Sequence, residues 1–513
     1  MQHNPVALAN KEKYLDVILA KPDLILAALN KLGIPGTWQS LSRIWSPGGG
    51  SSLFKITSGG TTYFMKAKHI SVTVESKLEA ESAFILLPSL KNEYDFLQKY
   101  QTSPHVPKVI GYTELSGFSF LIIESLTRFD DSMATLSPEE IITCYQQLKQ
   151  FVRQIFANQD IHTDLHEKNI MFREKIPVIV DWEEARHLPQ TTDFANSLDV
   201  KGYNYLGNTG QTPMVVPNMI AGHPCLNKLK NVFQNRLKTK ISQLASTAAY
   251  NSATGICRSL DHGLKSESYQ TIKLPGLWLP GQRPARDLRL GLVKSLLTIV
   301  WGKQNITFID IGSNLGTLTR AVSQLPFVQS SRGIEGVSAY NRLARLLNFI
   351  DGNDRTEFYD LTCGNDDITP AITHQSRIVY GMLSVYHHIE HPDQCLTDLA
   401  SSHPIGLIIE LAQQPECYQG RTWQQTLKHI SERLNLPYVV LIGYSPDYFR
   451  PFVVLSAIPF TPTQKLQLHL VGEMLWPISW WQRLIRYLKR HLISAACLGL
   501  ADLAIQLVSA LPR

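Results

Sequence analysis

The chain has 513 residues, of which 44% are hydrophobic and 18% charged. A single hydrophobic core rarely grows beyond about 250–300 residues, so we expect at least two domains, and this ordinary composition excludes extensive disorder. The formal net charge of +6 is too small, and the cations too dispersed, to indicate nucleic-acid binding. The seven cysteines form no CxxC pair and the N-terminus resembles no signal peptide, so we expect a reducing, cytoplasmic location.

The first 200 residues predict strands first and helices later. After a helical lead at 14–32, alternating residues at 53–56 and 63–67 predict a hairpin, residues 92–100 a helix, and residues 122–124 the end of a strand. Mostly helical sequence follows to about residue 200. This order predicts a two-lobed α+β domain. Farther on, apolar residues at helical spacing over 226–244 predict a connecting helix with a packing face.

The segment from His162 to Asn169 carries the most specific chemical signal, H-x-D-x-x-x-x-N, and an apolar strand ending at Asp181 follows it. Phosphoryl transfer requires a carboxylate that orients the acceptor hydroxyl and further ligands that hold Mg²⁺. We expect Asp164 to orient or deprotonate the acceptor, and Asn169 and Asp181 to hold the metal. Lys66, in a predicted strand, is expected to reach the phosphates of ATP.

Further nucleotide contacts are expected around Lys66. Glu93, in a predicted helix, is the favoured partner of Lys66, with Glu79 and Glu81 as competitors. The glycine-rich run at 46–52 lies where a phosphate-covering loop of backbone N–H groups belongs, although a flexible turn is the alternative. The additional cofactor-binding candidates of this half are Gly49, Gly50, Ser51 and Glu124.

These motifs resemble the aminoglycoside phosphotransferase, choline kinase and lipopolysaccharide kinase families over roughly residues 40–200. In those families HxDxHxxN and I-D-W-E replace the HRD and DFG motifs of protein kinases, as 162–169 and 180–183 do here. Asp193 resembles their aspartate that braces the catalytic loop. The resemblance implies ATP and Mg²⁺ as cofactors, and the lack of an APE-type segment favours a small-molecule or glycan acceptor over a protein. A non-catalytic, nucleotide-binding relative is the alternative.

From residue 305 onward, β-rich runs alternate with helical segments. The runs lie at 307–310, 331–335, 378–383, 406–410, 438–442 and 452–457, and they predict a doubly wound, Rossmann-like, mostly parallel α/β sheet. The turn from Asp310 to Gly316 follows the first of these strands, and its glycines let the backbone approach a nucleoside. Glu335 ends the next strand, where an acid bonds ribose hydroxyls. A dinucleotide-binding turn is the rival interpretation.

Later residues favour S-adenosylmethionine (SAM). The D-I-G-x-N-x-G turn, the Phe-Tyr-Asp-Leu segment at 358–361 and the S-V-x-H-H segment at 384–388 resemble motifs of class I SAM-dependent methyltransferases over residues 300–460. The resemblance implies that one histidine serves as the base for an oxygen acceptor. It assigns SAM binding to Asp310, Gly312, Asn314, Gly316, Glu335, Asp360 and Ser384, and catalysis to His387 and His388.

Two other features of the second half remain open. His387, His388 and His391 invite a zinc site, since His387 and His391 would share a helix face, but no Cys or carboxylate stands at ligand spacing, so pocket-lining roles are preferred. The Pro/Gly-rich segment at 274–286 contains Trp278, Arg283 and Arg286. It is either a lid over SAM whose arginines meet an anionic acceptor, or an ordinary domain-entry loop.

The C-terminal segment combines tryptophans with arginines, lysines and an apolar face. This pattern predicts a helical, amphipathic tail lying on an anionic membrane surface, with packing on the catalytic domains or a membrane span as alternatives. We therefore expect a helical lead at 1–37, a two-lobed protein-kinase-like domain at 38–215, a helical linker at 216–265, a methyltransferase domain at 266–462 and the tail at 463–513.

The sequence thus predicts a bifunctional transferase that uses ATP and SAM on a glycan, lipid-linked or small-molecule acceptor, in the cytoplasm or peripheral to its membrane. The architecture is similar to bacterial kinase/methyltransferases that cap O-antigen polysaccharides, in which the methyltransferase comes first. Natural-product tailoring is the alternative, as is a methyltransferase with a non-catalytic kinase-like scaffold. Sequence alone does not predict the oligomeric state.

Overall fold

Two compact units make up the chain, Met1–Lys240 and Ile241–Arg513, each with its own hydrophobic core. The structure is a computed structural model. It describes residues 21–41, 52–70, 89–158, 160–162, 165–183, 185–187, 224–247, 256–257, 270–281, 288–372, 377–414, 418, 420–445 and 450–475.

The first unit begins with a five-stranded antiparallel sheet of order β1-β2-β3-β5-β4. Alternation in β2 buries Phe54 and Ile56 on one face and exposes Lys55 on the other, as expected for a half-buried strand. Helix α1 covers the sheet with Ile25 and Leu29. The elements are α1 (Pro22–Lys31), β1 (Thr37–Leu41), β2 (Ser52–Ser58), β3 (Thr61–His69), α2 (Leu90–Lys99), β4 (Val109–Leu115) and β5 (Phe118–Glu124).

The rest of this unit is less uniformly helical than predicted, because short strands flank the loop at 162–169. They are β6 (Thr127–Arg128), β7 (Asp160–Ile161), β8 (Ile170–Arg173), β9 (Ile176–Ile179) and β10 (Arg186–His187), and the helices are α3 (Phe129–Thr135), α4 (Pro138–Ala157) and α5 (Pro224–Thr247). A capping box between Ser137 and Glu140 begins α4. The predicted helix at 226–244 lies within α5, and its Phe233 is buried edge-on against Phe129.

The second unit contains a seven-stranded sheet of order β15-β14-β13-β16-β17-β19-β18. Strands β13 to β17 are parallel and β19 runs antiparallel to both neighbours. The elements are α6 (Leu288–Trp301), β13 (Ile306–Ile311), α7 (Thr317–Val322), β14 (Val328–Glu335), α8 (Ser338–Asp351), β15 (Thr356–Asp360), β16 (Arg377–Leu383), α9 (Pro392–Ser401), β17 (Gly406–Glu410), α10 (Trp423–Leu434), β18 (Tyr438–Tyr444), β19 (Pro451–Ser456) and α11 (Pro462–Leu475).

The central strands β13, β16, β17 and β19 are buried on both faces, as their near-continuous apolar sequences require, whereas the edge strand β18 is largely exposed. One core cluster contains Ile309 and Tyr380, and the other contains Phe308 and Val379. Chain order reverses between β13 and its neighbours β14 and β16. In doubly wound sheets, ligands bind at the carboxyl ends of the strands beside such a reversal.

Three further features lie outside the two large sheets. Residues 272–279 form a small hairpin of β11 (Ile272–Leu274) and β12 (Leu277–Leu279). Cys363 and Cys395 form a disulfide, a pairing that their spacing did not predict. No helix within the described ranges is long and apolar enough to cross a membrane, whereas the tail tryptophans and basic residues lie outside those ranges.

Candidate active sites

An ion cluster in the first unit centres on Lys66. Its Nζ atom lies 2.8 Å from Glu93 Oε2 and 2.8 Å from Asp181 Oδ1. Strand β3 supplies the lysine, α2 the glutamate, and the segment after β9 the aspartate. The structure thus joins three residues that are far apart in sequence and that we assigned to nucleotide and metal binding. Of the helical partners considered for Lys66, Glu93 makes the contact, and Glu79 and Glu81 lie outside the described residues.

The charges in this cluster shift one another's protonation. Burial alone lowers the pKa of Lys66, but the carboxylates of Asp181 and Glu93 outweigh it and hold the pKa above its usual range. Burial raises the pKa of Glu93, against the opposing effect of Lys66. Burial also disfavours ionisation of Asp181, yet the adjacent ammonium lowers its pKa. Lys66 and Asp181 therefore carry opposite charges at neutral pH.

A second ion pair beside the first was missed by the sequence analysis. Lys68 Nζ lies 2.7 Å from Glu183 Oε2, and the other oxygen of Glu183 lies 3.6 Å from Lys66 Nζ. The spacing in the sequence could have predicted it. Residues two apart in a strand share a face, and Lys68 is two residues beyond Lys66. Glu183 likewise stands two residues beyond Asp181.

Three carboxylates of this cluster form a group suited to a hard cation. Oxygen atoms of Glu93, Asp181 and Glu183 lie within 4.8 Å of one another. Among the residues that the structure describes, no other group of three His, Cys, Asp or Glu side chains is so arranged. Carboxylate oxygens are the ligands that Mg²⁺ prefers.

His162 and Asn169, the two ends of the predicted motif, both contact Val180, the residue before Asp181. The Val180 N–H donates to Asn169 O at 2.9 Å, and His162 Nε2 lies 3.0 Å from Val180 O. Asp181 itself has φ +66°, a left-handed conformation that is uncommon for a residue with a side chain. Asn169 is buried close by. Asp164 lies outside the described residues, so its role as the acceptor-orienting carboxylate stays a prediction.

Glu124 lies at the end of β5 with its carboxylate already occupied. Arg173 Nε donates to Glu124 Oε2 at 3.0 Å, a second guanidinium nitrogen contacts the other oxygen, and the Lys108 N–H donates to it at 2.7 Å. A bidentate pair of this kind fixes both partners. The Glu124 side chain therefore makes a structural contact, and its assignment to nucleotide binding stays a prediction. Gly49, Gly50 and Ser51 lie outside the described residues.

In the second unit, the turn after β13 requires glycine at two positions. Gly312 has φ +70° and Gly316 has φ +68°, which L-residues rarely adopt. A Cβ atom on Gly312 would lie 2.3 Å from Val385, and one on Gly316 would lie 2.3 Å from Phe358. The turn therefore packs closely against Val385 and Phe358, and its approach to a nucleoside stays a prediction.

The acidic strand ends next to this turn lie side by side. Glu335 pairs with Asp360 across β14 and β15. Glu335 accepts the Asn314 N–H at 2.8 Å and the Val337 N–H at 3.0 Å, while burial raises its pKa. Three side-chain oxygens of the turn are buried without a hydrogen-bond partner: Ser313 Oγ, Asn314 Oδ1 and Thr317 Oγ1.

Asp310 has a structural contact below the turn. It is buried and accepts the Thr319 hydroxyl at 2.8 Å, which ties β13 to α7. Burial raises the pKa of Asp310 to about 7. The side chain thus positions the glycine turn from beneath.

At the same sheet edge, His387 and His388 lie with their ring centres 4.0 Å apart. Burial is the main cause that lowers the pKa of His387 to about 4, and the nearby His388 and Arg450 lower it further. Its imidazole is therefore neutral near pH 7, and its Nδ1 atom is buried without a hydrogen-bond partner. A neutral imidazole is the form able to accept a proton.

Glu410, which the sequence analysis did not single out, lies beside these histidines. It is buried at the end of β17, accepts a hydrogen bond from Ser384 and lies 3.3 Å from Arg289. Its negative charge raises the pKa of His387 against the dominant effect of burial. The position of Glu410 at the carboxyl end of a predicted parallel strand could have identified it as a candidate site residue from the sequence.

The geometry invoked for a zinc site is wrong. His387 and His388 lie in a short 3₁₀ turn, Tyr386–His388, and His391 precedes α9. His387 and His391 therefore do not share an α-helical face.

A model of the phosphotransferase enzyme family matches residues 128–224. This match includes the loop at 162–169 and Asp181, and it confirms the resemblance to phosphotransferases. Residues 128–224 are therefore similar to phosphotransferases. A search of curated protein sequences found no match.

Among solved structures, the chain is similar to WbdD at high resolution, with 20% identity, 39% of this chain and 47% of that chain covered, and a TM-score of 0.32. The medium-resolution structure of the bifunctional kinase-methyltransferase WbdD is 22% identical. The match covers 39% of this chain and 46% of that chain, with a TM-score of 0.31. The N-terminal domain of EvdMO1 in the presence of SAH and D-fucose is 13% identical. The match covers 39% of this chain and 94% of that chain, with a TM-score of 0.30. The chain spans about half the length of the WbdD chains, and scores this low do not define a shared fold.

Proposed function

We propose that the chain is a bifunctional transferase that phosphorylates a hydroxyl group with ATP and methylates an acceptor with SAM. Two domains, one of the α+β kinase-like class and one of the doubly wound methyltransferase class, would carry these activities. The observation that carries the first activity is the cluster of Lys66, Glu93 and Asp181. The observation that carries the second is the glycine turn with its three unpartnered oxygens.

In the first site, Lys66 is held charged and in place by Glu93, ready to bind phosphate oxygens. Asn169 and Asp181 would hold Mg²⁺, which neutralises charge on the transferred phosphoryl group when bound. Asp164 would orient the acceptor hydroxyl and take its proton. The carboxylates fit the metal, because oxygen atoms of Glu93, Asp181 and Glu183 lie within 4.8 Å of one another and Mg²⁺ prefers oxygen ligands.

In the second site, Ser313, Asn314 and Thr317 would donate to or accept from SAM, Glu335 would meet its ribose and Asp360 its adenine. Bound SAM supplies the electrophilic methyl group. Ser384 and Glu410 border the same edge of the sheet, and neutral His387 would remove the acceptor proton, with His388 beside it.

The strand order supports SAM over a nicotinamide cofactor. Dinucleotide-binding domains have strand order 3-2-1-4-5-6. Here the last strand, β19, inserts antiparallel between the fifth and sixth strands of the sheet.

The acceptor must offer a hydroxyl group. A glycan, a lipid-linked sugar or a small molecule offers the hydroxyl that both reactions need. Surface-polysaccharide synthesis on the cytoplasmic side of a membrane, with the tail as a peripheral contact, is the setting that we favour. Tailoring of a soluble natural product is the competing proposal, and a nucleotide-binding scaffold with an active methyltransferase is another.

Intact-mass analysis tests this proposal. Polyprenyl-linked glycans and soluble sugars are incubated with the full chain plus ATP, SAM or both. We expect mass gains of one phosphoryl group and one methyl group, with Asp164→Ala losing only the first. A methyl gain without a phosphoryl gain on every acceptor supports the scaffold instead. Binding of NAD and not SAM in calorimetry contradicts the methyltransferase assignment.

A further inference from the structure

The hairpin of β11 and β12 has one buried face and one exposed face. Ile272, Leu277 and Leu279 are buried, each at most 4% exposed. On the opposite face Lys273 and Trp278 pair across the two strands, and Trp278 is 67% exposed. The hairpin is therefore anchored by its aliphatic side chains, and its indole ring is displayed to solvent.

The hairpin is also fixed in position. Pro275 and Gly276, with φ +74° at the glycine, form its tight turn. At its base, the Gly281 N–H donates to Thr271 Oγ1 at 2.9 Å. An indole on such an anchored element loses little conformational entropy when it binds a ligand.

One contact connects this hairpin to the candidate SAM site. Gln270, next to β11, accepts the Thr317 N–H at 3.3 Å, and Thr317 is the residue that follows Gly316 in the glycine turn. Trp278 lies in β12, three residues before Gly281 at the base of the hairpin.

We propose that Trp278 and Lys273 form a saccharide subsite of the acceptor, with Trp278 stacking on a pyranose ring and Lys273 contacting an anionic substituent such as a phosphate ester. This inference rests on the proposed methyltransferase function. The face of an indole ring is electron-rich and attracts the partly positive C–H groups on one face of a pyranose. An ammonium group one strand away supplies the charge complementarity.

The size of the surface favours a sugar over a protein partner. Stable protein interfaces bury about 800 Å² on each partner, whereas this surface presents two exposed side chains on a pair of three-residue strands. One ring with one charged substituent matches two side chains.

Saturation-transfer NMR with the full chain tests the subsite directly. The probes are methyl hexopyranosides and their monophosphate esters, observed without SAM. In the wild type we expect saturation of the C–H groups of one ring face. Trp278→Ala should weaken binding about threefold to tenfold, as loss of an aromatic contact does, while Trp278→Phe retains most of it. Lys273→Met should weaken only the phosphorylated probes.

Calorimetric titration with SAM on the same variants separates the two proposals. Unchanged SAM affinity together with lost sugar binding supports the subsite. Equal sugar binding by wild type and Trp278→Ala overturns it, as does loss of binding with a lowered melting temperature in both Trp278 variants. Binding of a protein partner through the hairpin, with no saturation transfer to any sugar probe, also overturns the proposal. Failure of the wild type to bind SAM contradicts the proposed function and leaves the sugar result to be read separately.

Discussion

Asp310 shows how one buried carboxyl couples a binding turn to pH. Its folded-state pKa is about 7, above the ordinary value of a carboxyl, because burial disfavours the charge. The folded state thus binds this proton more tightly than the unfolded state. Its contribution to stability is fully present below the ordinary carboxyl pKa and is lost as pH rises towards 7.

We predict that Asp310→Asn removes this dependence, because the amide cannot ionise and still accepts the Thr319 hydroxyl. Between pH 4 and 7.5, the free energy of unfolding of the variant should rise relative to that of the wild type by on the order of 3 kcal/mol, at about 1.4 kcal/mol per pKa unit. Calorimetric melting of the full chain at several pH values measures the difference. Asp354→Asn, at an exposed position, is the control. A wild-type-to-variant difference that does not change with pH would contradict the prediction.

At the residue scale, sequence reasoning succeeded where spacing along one element carried the information. The turn glycines Gly312 and Gly316 follow from the strand-turn-helix pattern. Glu183 and Glu410 were missed because each gains meaning only from a partner on another element, Lys68 and Ser384 respectively.

At the scale of elements, α8 holds the edge strand β15 through a polar stripe. Asn341 Nδ2 donates to Glu335 O at 2.8 Å and to Tyr359 O at 2.7 Å. Arg345 donates to Phe358 O at 3.0 Å. Asn341 thus joins the carboxyl end of β14 to β15, next to Glu335 and Asp360, and Arg345 satisfies a carbonyl group of the edge strand β15.

Asn341→Leu should therefore lower stability by about 1–3 kcal/mol, since two carbonyl groups lose a buried donor, and should weaken SAM binding as well. Melting temperature and calorimetric SAM affinity are measured together. Asn365→Leu, which removes an exposed hydrogen bond to Glu390, is the matched control. Lower stability with wild-type SAM affinity would show that Asn341 is structural and does not position the site.

At the scale of the whole molecule, each compact unit has its own core and its own candidate site. We predict that Lys66→Met abolishes phosphoryl transfer and leaves SAM affinity within about twofold of wild type, because Lys66 and the glycine turn belong to different compact units and substitutions at independent sites add. Gly312→Arg should do the reverse. Calorimetry with SAM and phosphoryl-transfer assays on both variants provide the test. Loss of both activities in either variant would indicate that the sites are coupled.

By itself, the sequence predicted the alternation of strands and helices in the second unit, the glycine turn and the resemblance to phosphotransferases. Those features depend on local periodicity and on residues close together in the chain. The tertiary structure showed that Lys66 contacts Glu93, the favoured candidate, and it alone decided that Asp310 is buried and that burial lowers the pKa of His387. Each of these depends on burial and on charges from other elements, which no single segment of sequence contains.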